Sequence, residues 1–149
     1  MTSFTDPAVR TVLRRSMVVE VATVSPAGHP FMTPLWFVVD RDVVYITTGP
    51  GTRVGRNLVD HPDVTLLFHD PSLPGALRLR GRGTCYQGLP GWRVLLRILT
   101  KYYVGPRALP LELRNARKWG LRRRYYAQVK GGFGHLRVVP GAVEFLPAP

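Results

Sequence analysis

Short connections between β-rich segments are the strongest constraint on the fold. Residues 17–25, 32–40 and 43–48 are rich in valine, threonine and aromatic side chains, and they are separated only by a loop at Pro26 to Gly28 and by the dipeptide Arg41-Asp42. A parallel pair of strands needs a crossover of a dozen or more residues, which neither connection provides. The three segments are therefore predicted to form an antiparallel meander.

The rest of the chain adds strands and helices to this meander. Asp6 before Pro7 is a typical helix start, so a helix is predicted over Pro7–Arg15, and Thr52 is predicted as the N-cap of a helix that ends before His61. At 149 residues the chain is expected to form one domain, residues 1–149. Further strands are predicted over 64–69, 76–86, 133–139 and 143–146, with a turn at Pro140-Gly141 before the last, and helices from residue 92 and over about 111–126.

Positive charge is concentrated in the second half of the chain. The formal net charge is +12, but residues 1–75 hold six Lys and Arg against seven Asp and Glu, whereas residues 76–149 hold fifteen against two. Such an excess attracts an acidic partner. Nucleic acid, an anionic membrane surface and a polyanionic cofactor all fit this description, and charge alone does not choose among them.

The helical segment 92–126 combines an apolar face with a basic face. Arg122 to Arg124 are followed by Tyr125 and Tyr126, a combination that can join phosphate contacts to stacking surfaces, as in nucleic-acid-binding proteins. A solvated cover over the barrel and the entrance to a site for an acidic ligand are the two other interpretations. The apolar face holds Trp92, Leu95, Leu96, Leu99 and Tyr103, and the basic face holds Arg93, Arg97 and Lys101.

Several classes of site lack their sequence signals. Cys85 is the single cysteine, so an intrachain disulfide and a CxxC site are excluded and a reducing cytoplasm is expected. The histidines, at 29, 61, 69 and 135, lack metal-ligand spacing, so no metal site is expected. The glycines at 49, 51 and 55 miss the dinucleotide-binding spacing, and no nucleophile elbow is present. A signal peptide and an apolar run of about 18 residues are also missing, which predicts a soluble protein without a membrane partner.

An ordered set of motifs between residues 17 and 87 resembles a known superfamily. The motifs are Ala22-Thr23-Val24 with Gly28 and Pro30, Thr33-Pro34-Leu35-Trp36-Phe37, Tyr45-Ile46-Thr47-Thr48, and Thr52-Arg53 with Arg56-Asn57-Leu58 before Pro62. In this order they are similar to the FMN-binding split-barrel superfamily, which includes pyridoxamine 5′-phosphate oxidases and F420-dependent reductases. The resemblance implies an antiparallel split β-barrel with flanking α-helices, a homodimer with cofactor sites at the subunit interface, and FMN or F420 as the cofactor.

The same resemblance implies which residues hold the cofactor. The strand at 33–37 lays its backbone beside the ring, hydroxyl groups lie near the ribityl chain and phosphate, and arginines grip the phosphate, for which a guanidinium is suited by its bidentate geometry. Val54 is a departure, because many relatives place a lysine at or near this position. The implied cofactor-binding residues are Thr33, Pro34, Leu35, Trp36, Thr47, Thr48, Arg53, Arg56 and Asn57.

The implied activity is hydride transfer between FMN or F420 and a small organic substrate. In such chemistry the cofactor carries the reaction and the protein orients it, so no side chain need act as acid or base. No catalytic residue is therefore assigned, and Tyr45, His69 and Tyr86 are only candidate proton donors. A basic nucleic-acid-binding module and a non-catalytic flavin or haem carrier are the alternatives.

Overall fold

A computed structural model describes residues 2–104 and 133–148. None of the helices in these ranges is long and apolar enough to cross a bilayer. The elements in chain order are α1 (Pro7–Arg15), β1 (Val19–Val24), β2 (Pro30–Leu35), β3 (Phe37–Asp40), β4 (Val43–Ile46), α2 (Arg53–Asp60), β5 (Asp63–His69), β6 (Ala76–Gln87), α3 (Trp92–Leu99), a π-helical turn (Thr100–Val104) that continues α3, and β7 (Gly134–Leu146).

All seven strands belong to one antiparallel sheet that curls into a half-barrel. The strand order is β2-β1-β5-β6-β7-β4-β3. The long strands β6 and β7 pair from Ala76 opposite Leu146 to Gln87 opposite Gly134 and form the centre of the sheet. The mainly β fold with flanking helices, predicted from the sequence, is confirmed.

The predicted single strand over residues 32–40 is wrong. The chain bends at Trp36, so that β2 pairs with β1 while β3 pairs with β4 at the opposite edge of the sheet. Two hairpins therefore replace the predicted three-strand meander. The bend lets one segment serve both edges of the sheet, which curls it towards a barrel.

The predicted turn at Pro140-Gly141 is also wrong, because β7 runs without interruption through these residues. The register with β6 shifts between Arg80 and Gly81, where Gly81 lies opposite Pro140. Proline cannot donate to a strand ladder, and a bulge is one of the places where a sheet accepts it. The Pro-Gly pair therefore marks an irregularity within a strand.

The main core fills the concave face of the sheet, and α1 and α2 close it. Both predicted helix starts are confirmed: Asp6 accepts a 2.8 Å hydrogen bond from the Ala8 N–H, and Thr52 accepts one of 3.1 Å from the Gly55 N–H. Phe37 and Phe68 meet edge to face at 4.8 Å in this core. The helices contribute Val9, Val12, Leu13, Val54 and Leu58 to it.

Helix α3 packs against β3, outside the main core. Val94 and Tyr102 are buried there with Val38 in a second, smaller cluster. Two residues of the predicted apolar face point away from this contact, because Trp92 is 74% exposed and Leu96 is 56% exposed. Tyr103, also predicted on that face, packs against the second cluster. The predicted helix over 111–126, with the arginines and tyrosines at 122–126, lies outside the described residues.

Candidate functional site

The end of β4 is joined to the start of α2 by interlocked threonines. The Thr52 hydroxyl donates to the Gly49 carbonyl at 2.8 Å and lies 2.8 Å from the Thr48 hydroxyl. A hydroxyl has one hydrogen, so Thr48 is the donor in the contact between the two threonines. Thr48 is buried, and its polar group is therefore used to hold the loop in place.

Gly55 allows the first turn of α2 to touch this loop. A Cβ atom at Gly55 would lie 2.3 Å from the Gly49 carbonyl oxygen and 2.7 Å from Cα of Pro50. Contacts this short with backbone atoms require the loop or the helix to move. The glycine thus fixes how closely the N-terminus of α2 approaches the end of β4.

Two arginines project from α2 into solvent. The Arg53 guanidinium lies over the Phe31 ring at 4.5 Å, and Nη1 of Arg56 donates to the Gly51 carbonyl at 2.8 Å. Neither arginine contacts a carboxylate of the described residues. Val54 faces the other way and is buried in the main core. Its place in the motif is therefore a packing position, and the exposed charge of α2 comes from the flanking arginines.

Strand β2 and the bend at Trp36 form the next wall of this corner. The Trp36 carbonyl accepts a 3.0 Å hydrogen bond from the Thr47 N–H, with the Thr47 hydroxyl 3.4 Å away. The Trp36 ring stacks on Tyr102 at 4.5 Å, so the indole packs in the second cluster beside α3. Thr33 and Leu35 lie opposite Val21 and Val19 of β1, whereas Pro34 faces outward and is exposed.

These contacts connect most of the predicted site residues along one path. It runs from Trp36 to Thr47, from Thr48 to Thr52, and from Arg53 to Phe31 on β2. We call this region the α2 corner. Asn57 lies below it, 3% exposed, and donates a 3.0 Å hydrogen bond to Thr23. Asn57 and Thr48 therefore support the corner from inside, while Arg53 and Arg56 keep donors at its surface.

The three candidate proton donors lie in two different places. His69 is on the outer surface, 3.2 Å from Glu20 in an exposed pair. Tyr45 and Tyr86 both lie beside His135, with ring centroids 6.5 Å and 5.4 Å from it. The sequence did not single out His135, because its proximity to Tyr86 depends on the pairing of β6 with β7.

Cys85 and the arrangement of potential metal ligands in the described residues bear on two of the sequence expectations. Burial raises the pKa of the Cys85 thiol to about 11, so the thiol is protonated at neutral pH and is a weak nucleophile. Within residues 2–104 and 133–148, no group of three or more potential ligands comes together to hold a metal ion.

Solved structures with the same architecture share little sequence with this chain. An F420 reductase is 23% identical, with a TM-score of 0.63, and the match covers 91% of this chain and 94% of that one. A pyridoxamine 5′-phosphate oxidase-related, FMN-binding protein from Nostoc punctiforme is 14% identical, with a TM-score of 0.65 and coverages of 99% and 85%. HutZ, the haem storage protein of Vibrio cholerae, is 15% identical, with a TM-score of 0.55 and coverages of 94% and 93%. These similarities establish the fold.

The sequence comparison assigns the chain to a family, whereas the solved structures above establish only its fold. None of the curated protein sequences matches it. The family model described as pyridoxamine 5′-phosphate oxidase matches residues 5–107, a range that includes the whole α2 corner and α3. Because this match spans most of the chain, the protein belongs to the pyridoxamine 5′-phosphate oxidase family.

Proposed function

We propose that the α2 corner binds the phosphate of FMN or F420 and that the protein is an oxidoreductase acting on a small organic substrate. The observation that carries the proposal is the pair of exposed guanidinium groups, Arg53 and Arg56, beside the N-terminus of α2. Helix N-termini and arginines are both favourable surroundings for phosphate. An FMN-binding protein and an F420 reductase among the structural relatives support the same assignment.

The donor set at the corner fits a phosphorylated, flat cofactor. Arg53 and Arg56 would bind the phosphate, the Thr47 side chain would lie nearby, and the backbone of residues 33–36 would line the ring. Thr48 and Asn57 would keep this surface in place through their interior hydrogen bonds. When bound, the cofactor supplies the ring that accepts or donates hydride, while the protein supplies orientation and exclusion of water.

We further propose a homodimer located in the cytoplasm, with the cofactor sites at the subunit interface. β2 is an edge strand, and its outward-facing Met32 is 55% exposed, as expected for a surface that a second subunit covers. The single, half-buried cysteine favours a reducing compartment. Light scattering coupled to size-exclusion chromatography tests the dimer directly.

Ligand release and titration test the cofactor assignment. Mass spectrometry and absorption spectroscopy of ligand released from purified protein identify FMN or F420, and titration of the ligand-free protein gives the affinity for each. The double variant Arg53→Gln/Arg56→Gln is expected to weaken binding about 100-fold, because two charge-assisted hydrogen-bonding groups are lost. Arg80→Gln/Arg82→Gln removes the same charge from the exposed side of β6 and is the matched control.

Two results would overturn the proposal: failure of both FMN and F420 to bind, or equal affinity in the two double variants. Affinity for RNA or DNA that falls steeply with salt and survives Arg53→Gln/Arg56→Gln would instead favour the nucleic-acid-binding alternative.

A haem carrier is the second candidate, and His135 is the observation that favours it. Nδ1 of His135 lies 3.0 Å from the Gly88 carbonyl, a contact that directs Nε2 towards other partners, and Tyr86 stacks on the ring. The similarity to HutZ adds support. Haem binding that produces a Soret band and is lost in His135→Ala, without any binding of FMN or F420, would replace the flavin assignment.

A further inference from the structure

A second basic region lies between α1 and α3, over the edge strand β3. An open cavity of about 870 Å³ is found there, and none of the nine predicted cofactor-binding residues lines it. We call it the α1–α3 cavity. Six cationic side chains line it: Arg10, Arg14, Arg41, Arg93, Arg97 and Lys101.

Acidic side chains neutralise only part of this charge. Arg10 pairs with Asp42 at 2.5 Å. Asp40 is shared by Arg97 at 3.0 Å and Arg93 at 3.8 Å. Arg14 and Arg41 are exposed, and neither has an ion-pair partner in the described part of the chain. The cavity therefore carries several positive charges in excess of its carboxylates.

Lys101 adds a buried cation to the wall of the cavity. Its Nζ lies 3.3 Å from the Phe37 carbonyl oxygen and 3.7 Å from the centroid of the Phe37 ring. Burial lowers the pKa of Lys101 to about 7. The charged groups around the cavity are Arg10 and Arg14 on α1, Asp40 on β3, Arg41 and Asp42 in the turn after β3, and Arg93 and Arg97 on α3. Cations outnumber carboxylates there, so an incoming anion is the charge that would favour protonation of Lys101.

Apolar surface completes the cavity. Leu13 and Val38 form part of its inner wall, and Trp92 and Leu96 stand at its edge. Trp92 is 74% exposed, so its indole ring is free to contact a ligand. Apolar walls with a few polar groups are typical of small-molecule sites, and here the polar groups are almost all cations.

We propose that the α1–α3 cavity binds a small amphipathic anion, an aromatic or aliphatic body that carries two or more negative charges. The excess cations attract the charged part, and the Leu13–Val38 wall with the Trp92 ring takes the apolar part. This site is independent of the α2 corner. The proposal therefore goes beyond the cofactor assignment and does not rest on it.

Calorimetric titration with 1-naphthyl phosphate tests the proposal. We expect binding of one molecule per chain, at least about tenfold tighter than that of inorganic phosphate or 1-naphthol alone, because each probe lacks one half of the recognised chemistry. Arg14→Gln/Arg41→Asn removes the two unpaired arginines and is expected to weaken binding at least about tenfold. Asparagine suits position 41, where φ is +55°.

Four further measurements separate this site from the rest of the molecule. Arg80→Gln/Arg82→Gln and Arg53→Gln/Arg56→Gln should each leave the affinity for 1-naphthyl phosphate within about twofold, since neither pair lines the cavity. Leu96→Glu places a carboxylate at an exposed position of the cavity and should abolish binding. Titrations at pH 8 in buffers of different ionisation enthalpy should reveal proton uptake by Lys101 in the parent and none in Lys101→Met.

The proposal is overturned if 1-naphthyl phosphate does not bind at millimolar concentration, or if phosphate alone binds as tightly. It is equally overturned if Arg14→Gln/Arg41→Asn and Leu96→Glu, both folded by circular dichroism, bind with the affinity of the parent. Loss of binding in Arg53→Gln/Arg56→Gln alone would assign the probe to the α2 corner instead.

Discussion

The α2 corner and the α1–α3 cavity are both rich in arginine, yet they are constructed differently. At the corner, Arg53 rests on an aromatic ring and Arg56 on a carbonyl oxygen. At the cavity, Arg10, Arg93 and Arg97 contact carboxylates of the β3–β4 hairpin. Arginines held by neutral groups keep their full charge for a ligand, whereas paired arginines have part of it neutralised. The corner is thus suited to the phosphate of the proposed cofactor, and the cavity to an anion that also carries apolar surface.

The two regions should also differ in how they tolerate mutation. The corner depends on backbone atoms in close contact, at Gly55 above all. The cavity depends on charges, and the neighbouring α3 is anchored by the hydroxyl of Tyr102, which bonds to the backbone of Phe37 and Met17. Four stability measurements test this difference, in order of decreasing effect.

Gly55→Ala should destabilise the protein most, by about 3 kcal/mol. The new methyl group would clash with the backbone of Gly49 and Pro50, and relieving the clash requires the loop or the helix to shift. Urea unfolding measures the change. Gly91→Ala, at the N-cap of α3, is the control: nothing lies within 4 Å of its added Cβ, so the change should stay below about 1 kcal/mol. Equal effects of the two substitutions would contradict the close packing of the corner.

Tyr102→Phe should reduce the free energy of unfolding by about 2 kcal/mol, since buried backbone groups lose their partner. The Tyr102 hydroxyl accepts a 2.9 Å hydrogen bond from the Phe37 N–H and lies 2.8 Å from the carbonyl oxygens of Met17 and Phe37. Tyr86→Phe, at a position 43% exposed, should change stability by less than about 0.5 kcal/mol. Denaturant unfolding of both variants makes the comparison, and similar values would show that the Tyr102 hydroxyl does not anchor α3.

Lys101→Met should remove a pH dependence of stability of about 1 kcal/mol per pH unit. The folded protein releases the Lys101 proton near pH 7, whereas the unfolded chain keeps it up to the ordinary value of 10.5. Between these values the unfolded state binds more protons, so the parent becomes more stable as the pH rises. Below pH 7 both states are protonated and this slope vanishes. Urea unfolding at pH 6.5, 8 and 9.5 measures this slope. An identical pH dependence of the free energy of unfolding in parent and variant would show that Lys101 is not a buried, neutralised cation.

Asp42→Asn should have the smallest effect, about 0.5 kcal/mol, although its pair with Arg10 is short. The Asp42 side chain is 70% exposed, and solvent screens an exposed pair. Thermal unfolding in low and high salt checks this, because the difference from the parent should disappear at about 1 M salt. A difference that persists at high salt would mean that the pair is not solvent-screened.

Local features were the most predictable part of this molecule. Asp6 and Thr52 cap their helices as predicted, because a cap depends on residues two or three positions away. The alternation in β6 also holds: Leu77 and Leu79 are buried while Arg80 is exposed. Errors arose at Trp36 and Pro140, where the chain changes its pairing partner or its register. Such changes depend on which strands lie alongside, and that information is not local.

The candidate site likewise combines features that the sequence predicts with features that depend on tertiary packing. The motif placed Arg53, Arg56 and Asn57 on one short helix, but only the packing of α2 on the sheet turned Val54 and Asn57 inward and left the arginines outside. The role of Lys101 was still less predictable, since its spacing from Arg97 is that of an ordinary basic helix face. Its burial follows from α3 presenting that face to β3.

The sequence by itself determined the antiparallel pairing within each hairpin, the helix starts and the motif residues of the α2 corner. These features depend on short spacings and on residue types. The tertiary structure decided the strand order, the exposure of Trp92, the pairing of His135 with Tyr86 and the existence of the α1–α3 cavity. Each of these joins residues far apart in the chain, and burial and charge contacts across such distances arise only when the sheet has curled and the helices have packed on it.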